Sequence, residues 1–427
     1  MSIYKAMWTG VSGLAAESQA LGVVGDNVAN SNTLGYKLSR AVFEDVLGGA
    51  VGQNIGGGVR MARAQQIFAQ GTIMNTGQPT DLAITGDGFF CVKGTLDGLT
   101  GQFYTRAGDF TMDKDGYLVN PNGLKLQGYA SDGNGGFAAS PSDVQIPTAP
   151  LAPKPTSSVT VDANLDSRET PPTGVWDPQN PATTSNTSTS TTVYDSLGNP
   201  HSVQIYFTNT GPGTWEYHAI VDGGELAGGT PGQNTEIATG NLTFNTDGTL
   251  QDNQVTAGGT VDFAGATPGQ PLAFDFGTPI AAGGSGMDGI TQFAQASAVA
   301  YQSQDGYASG SITGVQVDGN GTVMGVYSNG QTLPISQLAI AKFTSNDGLG
   351  RAGHNSWIAT RASGEPVLGP PGAGGRGGVV SGALEQSNVD IAGQFVELIA
   401  HQRAFQANSK TITTADEMLQ EVVNLKR

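Results

Sequence analysis

The stretch SNVDIAGQFVELIAHQRAFQANSKTITTADEMLQEVV, Ser387 to Val423, decides the architecture. Read at heptad spacing it gives Ile391, Phe395, Leu398, Gln402, Phe405, Ser409, Ile412, Asp416, Leu419 and Val423, in steps of four and three. A stripe of that period predicts a helix that packs on a partner. The stretch has no Gly after Gly393 and no Pro, so nothing breaks the helix early. Ser387, with Asp390 three residues on, reads as a capping-box start. The rise per residue makes such a helix about 50 Å long. Three of its core positions are polar: Gln402, Ser409 and Asp416. A single pair of helices accommodates these poorly, whereas many short contacts between subunits accommodate them better.

The other end of the chain supplies a partner. Met7, Leu14, Leu21 and Val28 repeat every seven residues, flanked by Tyr4, Val11 and Val24. Gly10, Gly13, Gly22 and Gly25 weaken this helix in isolation and permit close approach of a neighbour. Asn30-Ser-Asn-Thr-Leu-Gly35 reads as its stop, with Gly35 able to take a left-handed conformation.

Between the ends the pattern is β. Gly accounts for 64 of 427 residues and Pro for 21, which implies many turns, and no triplet period suggests collagen. Charged residues make up 13 %, with a formal net charge of −17. That balance opposes binding to nucleic acid or to anionic lipid. The single cysteine, Cys91, excludes an intrachain disulfide framework and reads as a small buried strand residue. The N-terminus lacks the apolar run of a cleaved secretion signal, and no 18-residue apolar segment suits a membrane span. By pattern the chain is soluble.

Strands are expected at 59–67, 117–119 and 124–129, a strand, turn and strand over 82–92 and a further hairpin element over 103–112, with Asp113-Lys-Asp-Gly116 and Asn122-Gly123 as turns. Gly48 to Gly58 reads as a connector. Prolines at 147, 150, 153 and 155 mark a break, and Pro171 to Thr192 reads as a long surface loop. Alternation returns at 191–195, 202–208, 214–221, 242–244, 261–263 and 272–276, then at 310–317, 322–327 and 333–343. The expected fold is mainly β: nested β domains, barrel- or sandwich-like, with N- and C-terminal helices forming a coiled-coil-like axial region. The expected domains are 1–35 with 387–427 (axial helices), 36–75 with 363–386 (connecting region), 76–147 with 301–362 (a discontinuous inner β domain), and 148–300 (an inserted outer β domain). Nesting of this kind places the chain ends at one pole.

No pattern carries catalysis or a cofactor. The four histidines, 201, 218, 354 and 401, lack metal-ligand spacing to one another or to Cys91. The Asp113 turn would put Thr111 and Asn122 at the terminal ligand positions of a calcium loop, so both carboxylates are missing. The glycine clusters at 56–58 and 374–378 lack a following Gly-Lys-Ser/Thr. The residues give no sign of an enzyme, a metal site or a cofactor.

Three stretches resemble the bacterial flagellar rod and hook family: Ala29-Asn-Ser-Asn-Thr-Leu-Gly-Tyr-Lys37, Gly86-Asp-Gly-Phe-Phe90 and Ser381-Gly-Ala-Leu-Glu-Gln-Ser-Asn-Val-Asp390. Within them Asn30, Thr33, Gly35, Tyr36, Gly86, Gly88, Phe89, Leu384, Glu385, Ser387, Asn388 and Val389 carry the family pattern. Val161 to Asp166 and Val193 to His201 resemble the outer domain of the hook members. The resemblance covers the chain in outline and is weak across 167–190 and 222–300. It implies a self-assembling subunit of the flagellar hook, a curved helical tube that acts as a universal joint between rod and filament. It implies partners in the rod, the hook cap and the hook-filament junction proteins. It also implies export through the flagellar apparatus to the cell exterior without signal cleavage, with no membrane insertion. Within the family the other reading is the distal rod protein, which is shorter. Outside it, the other reading is a secreted β-rich adhesin.

Overall fold

A computed structural model of the chain describes residues 3–47, 56–133 and 135–424. The chain forms two compact units, Met1–Thr148 with Gly314–Val326 and Thr332–Arg427, and Ala149–Thr313 with Tyr327–Gln331.

The first unit holds both long helices, Ile3–Ala29 and Ile391–Asn424. The C-terminal helix begins three residues later than the capping-box reading of Ser387. Asp390 is its cap: its side chain accepts from the Ala392 amide at 3.0 Å and its carbonyl from Gln394 at 2.9 Å. The Ser387 hydroxyl instead accepts from the Val389 amide, in the turn before the helix. An Asp two residues before the first free amides satisfies them directly, so the serine is not needed.

Beside the helices lies an antiparallel hairpin, Ser39–Leu47 with Gly56–Gln66, whose second strand runs along the N-terminal helix. The expected connector 48–58 falls largely outside the described residues; its last three glycines already belong to the strand. The main sheet is centred on Phe89–Leu96, which pairs with Leu99–Thr105, Lys125–Ala130 and Ile340–Lys342. Under it Phe89, Cys91, Tyr104, Ala341, Phe343, Leu349 and Trp357 form a buried cluster. Phe68, Phe89, Phe343 and Trp357 meet there with ring centroids 5.5–5.9 Å apart, at the edge-on or tilted angles that aromatic pairs favour. Two short ladders join distant parts of the chain, Leu82–Thr85 with Gly378–Ser381 and Ile73–Asn75 with Ala383–Glu385.

The second unit packs a five-stranded antiparallel meander against a three-stranded sheet. The meander runs Thr187–Tyr194, Pro200–Gly211, Thr214–Asp222, Asn234–Phe244 and Leu250–Ala257. In the smaller sheet Ser158–Asn164 pairs parallel with Ala273–Asp275 and antiparallel with Ala298–Gln304. Their facing side chains, among them Val159, Val161, Phe207, Trp215, Tyr217 and Phe276, make one continuous core. The surface loop expected to reach Thr192 ends sooner, because Thr187–Tyr194 is already a strand. Its run of Ser and Thr alternates between half-buried and exposed, and the composition had masked that period of two. Asp113, Asp195 and Asp318 each accept backbone amides two and four residues on, closing Asp-x-x-Gly turns whose glycines have φ near +80°.

Candidate assembly site

The two terminal helices lie antiparallel. A Cβ at Gly10 would stand 2.9 Å from Cγ1 of Ile412, and one at Gly13 would stand 2.6 Å from Nδ2 of Asn408. Further along, Glu17 Oε2 meets His401 Nδ1 at 2.7 Å, and Asn27 Nδ2 donates to Gln394 Oε1 at 2.8 Å. The buried line of the N-terminal helix is therefore Gly10, Gly13, Ala16, Ala20, Val24 and Asn27. Met7, Leu14, Leu21 and Val28 flank it, half-buried. Small residues form the seam because they let the backbones approach closely.

On the C-terminal helix the least exposed positions are Gln394 and Ala415, which are buried, and Gly393, Leu398, His401, Ala404, Asn408, Ser409, Ile412 and Leu419, which are half-buried. Of the stripe read from sequence, Leu398, Ile412 and Leu419 share this face and are half-buried. Ile391, Phe395, Phe405 and Val423 remain exposed, Phe395 by 50 %. Val396 is 68 % exposed and Ile399 50 %; on the N-terminal helix Tyr4, Trp8 and Val11 are exposed too. The helix pair thus buries one seam within the chain and leaves an adjoining apolar face open.

Where the helices meet the β structure, the three motif stretches converge on one buried knot. The Lys37 ammonium donates to Glu385 Oε1 at 2.6 Å and to the Ala69 carbonyl at 2.9 Å. The Arg106 guanidinium approaches Glu385 Oε2 at 3.3 Å, donates to the Gly86 carbonyl at 2.7 Å, and lies 5.4 Å from the Phe89 ring centre. The Gly71 amide completes the Glu385 shell at 2.8 Å. All three charged side chains are buried. Burial pulls Lys37 and Arg106 below their usual ranges, and the Glu385 carboxylate opposes it. Two cations face one anion, so the carbonyl dipoles of Ala69 and Gly86 supply the rest of the negative potential.

The other motif residues surround this knot. Asn388 Oδ1 accepts from the Leu38 amide at 2.7 Å, while its Nδ2 donates to the carbonyls of Ile67 and Ala69. The Tyr36 hydroxyl donates to Asp26 and Asn27, and burial followed by the Asp26 carboxylate holds the phenol above its usual range. Asn30 bonds back to Asp26 and accepts from Thr33, which ends the N-terminal helix. Gly35 has φ +66°, its amide donates to the Glu385 carbonyl, and a Cβ there would stand 2.5 Å from the Ala107 amide nitrogen. Gly88 has φ +127°, with Ile340 2.5 Å from where its Cβ would be. Leu384 is buried in the ladder with Met74, and Val389 is half-buried. Arg106, Asn27 and Gln394 carried no signal in the sequence, because each becomes a partner only when segments far apart in the chain meet.

Paired terminal helices, tied by a motif knot to the β structure of the first unit, define an axial structural protein of the flagellum. Four family models match in order: Flagella basal body rod protein over 7–37, Flagellar hook protein FlgE/F/G D1 domain over 83–164, Flagellar basal body protein FlaE D2 domain over 164–307, and Flagellar basal body rod FlgEFG protein C-terminal over 380–425. The chain is 36 % identical to the Flagellar hook protein FlgE of Escherichia coli over 97 % of its own length and 98 % of the relative's. It is 35 % identical to that of Borreliella burgdorferi over 99 % of both chains. The chain belongs to the flagellar hook protein family, a family of structural proteins. The fold is also that of the crystal structure of Helicobacter pylori flagellar hook protein FlgE2, with a TM-score of 0.53 at 17 % identity, covering 73 % of this chain and all of that one. Among the described residues no helix is long and apolar enough to cross a membrane.

Proposed function

We propose that copies of this chain assemble into the curved helical tube of the flagellar hook, with the open face of the helix pair packed against neighbouring copies. The tube joins rod to filament and transmits torque as a universal joint. The observation that carries this reading is the set of apolar side chains left exposed beside a seam that is already closed, Ile391, Phe395, Val396 and Ile399 at one end of the helix pair and Tyr4 and Trp8 at the other. Exposed apolar patches of this kind mark interaction surfaces. A contact between two different patches of the same chain does not close on itself and propagates as a helix. The glycine-bearing helix and the polar seam residues Asn27, Gln394, His401 and Asn408 suit helices that slide slightly as the tube bends. The family motif residues hold the helix pair to the β structure, so torque passes through the knot at Glu385. Rod, hook cap and junction proteins are the partners at the tube ends. The chain reaches the cell exterior through the flagellar export apparatus without cleavage of a signal.

The test separates the open face from the closed seam. Phe395→Asp places a carboxylate where a neighbour must bury it, and the loss recurs in every subunit. Burying a Phe side chain contributes about 1.5–3 kcal/mol, so sedimentation and electron microscopy of this variant are expected to find folded monomers and no tubes. Leu398→Asp lies on the closed seam and is expected to loosen the monomer's own helix pair as well, seen as lost helical circular dichroism. Normal tubes from the Phe395 variant would overturn the assignment of this face.

A further inference from the structure

We infer that the second unit carries a pH-sensitive strap, residues 171–180, held on the meander sheet by His218 in its protonated form. The inference rests on the geometry of this unit and not on assembly. Trp176 lies face to face with the His218 ring, centroids 4.1 Å apart and planes 11° apart. The Trp176 indole N–H donates to Glu236 Oε1 at 2.7 Å. The same oxygen meets His218 Nδ1 at 2.6 Å. A carboxylate can only accept, so Nδ1 carries a proton. In the neutral ring that proton is the only one, and Nε2 presents a lone pair.

That second nitrogen is the telling atom. His218 is only 8 % exposed, and its Nε2 is buried without a hydrogen-bond partner. Its nearest charged neighbour is the Glu216 carboxylate, with Oε2 at 3.7 Å. The Glu216 side chain is 42 % exposed, so water screens this contact, but a lone pair on the buried Nε2 facing a carboxylate is still unfavourable. A proton on Nε2 turns the same contact into an ion pair and places a cation under the Trp176 face. Protonation therefore strengthens three contacts together: with Glu236, Glu216 and Trp176. Tyr206 stands beside Trp176 with its hydroxyl turned to Gln204, and Asp177 is engaged with Gln179 and Asn180. Neither supplies a competing cation.

The other anchor near the middle of the strap is the Asp177 amide, which donates to the buried Thr184 hydroxyl at 3.2 Å. Val175 is almost fully exposed, and at the far end Gln179 and Pro178 share hydrogen bonds with Asn234. Losing the His218 charge leaves Trp176 with the indole bond, the Tyr206 contact and a neutral ring beneath it, a weaker hold from which the strap opens more readily. His201 provides an internal contrast. It too stacks on an aromatic ring, Phe263 at 3.9 Å, between Glu225 and Asp195. Phe263 belongs to the buried core, so no segment is free to lift there.

Hydrogen exchange of the full-length monomer, corrected with an unstructured reference peptide, reads the strap directly. Measurements at about pH 5.5 and about pH 8 bracket the ordinary histidine range. Protection of the Asp177, Gln179 and Asn180 amides, which donate hydrogen bonds in the closed strap, is expected to fall by roughly tenfold or more at the higher pH. In His218→Gln the protection is expected to be the same at both. Equal protection at both pH values in the unmodified chain would overturn the proposal, as would an unchanged pH response in His218→Gln. Trp176→Leu, on the surface of the strap, is a second variant that spares the sheet; it is expected to be poorly protected at both pH values, and normal protection would count against the latch. His201→Gln is expected to keep the strap response; its loss would remove the assignment to His218.

Discussion

At the scale of single residues, Glu385 has the largest consequences. It is the one anion between Lys37 and Arg106, and it also receives the Gly71 amide. Glu385→Ala leaves two buried cations with only the Ala69 and Gly86 carbonyls and the Asp87 carboxylate to offset them. Breaking a buried pair in this way costs about 3–5 kcal/mol. Urea unfolding of the monomer is expected to lose stability of that order, with the first unit affected and the second untouched. A variant of unchanged stability would mean that water or other groups compensate the cations. The knot does not require unusual residue types. It requires that three ordinary charges be buried together, and the flanking glycines make room: at Gly35 and Gly88 a side chain would strike the Ala107 backbone or the Ile340 side chain.

At the scale of elements, the four glycines of the N-terminal helix divide into two kinds. Gly10 and Gly13 sit against Ile412 and Asn408, where a Cβ would be too close. Gly22 and Gly25 have nothing within 4 Å of the place a Cβ would occupy. Gly13→Val is therefore expected to push the helices apart, at about 1–3 kcal/mol for overpacking, and to reduce helical circular dichroism. Gly22→Ala is expected to stabilise the helix in the monomer by about 0.5–1 kcal/mol. Equal effects of the two substitutions would contradict the seam described above. The same elements explain why the apolar stripe of the C-terminal helix divides between two faces. Leu398, Ile412 and Leu419 turn toward the N-terminal helix, whereas Phe395 and Val423 turn away from it.

At the scale of the whole molecule, the two units differ in their response to acid. Asp166, Asp177, Asp195, Asp247, Asp288 and Asp305 all have carboxyls held below the usual range, and all lie in the second unit. At Asp305 burial pushes the carboxyl up, but hydrogen bonds from Ser157 and Ser158 and the Lys154 ammonium outweigh it. A folded-state value below the unfolded one, about 3.9, contributes stability that is present above that pH and lost as pH falls through the folded value. Raised Asp162 opposes this trend in the same unit, and the six lowered groups outnumber it. Calorimetry is expected to resolve two transitions, with the one from the second unit falling faster below about pH 4. Asp305→Asn is expected to lower that transition at neutral pH and to flatten its acid dependence. Parallel acid shifts of both transitions would refute this.

The sequence by itself determined the helical ends, the β character of the middle, the Asp113-Lys-Asp-Gly116 turn and the membership of the flagellar rod and hook family. Each of these depends on local periodicity, backbone conformation or short motifs, which neighbouring residues specify. It also marked Gly35, Glu385 and Asn388 as residues of interest, without indicating what they touch. Tertiary structure alone decided which face of the C-terminal helix meets the N-terminal one. A heptad stripe records that a face is apolar, and Leu398, Ile412 and Leu419 suit either an intrachain or an intersubunit seam. The knot lay beyond reach for a related reason. Lys37 and Glu385 are 348 residues apart, and Arg106 and Glu385 are 279 apart. A charged residue becomes a buried ion-pair partner only when the fold removes it from water beside its opposite. The His218 stack on Trp176 arises in the same way, because a loop residue acquires its role only once the sheet beneath it has formed.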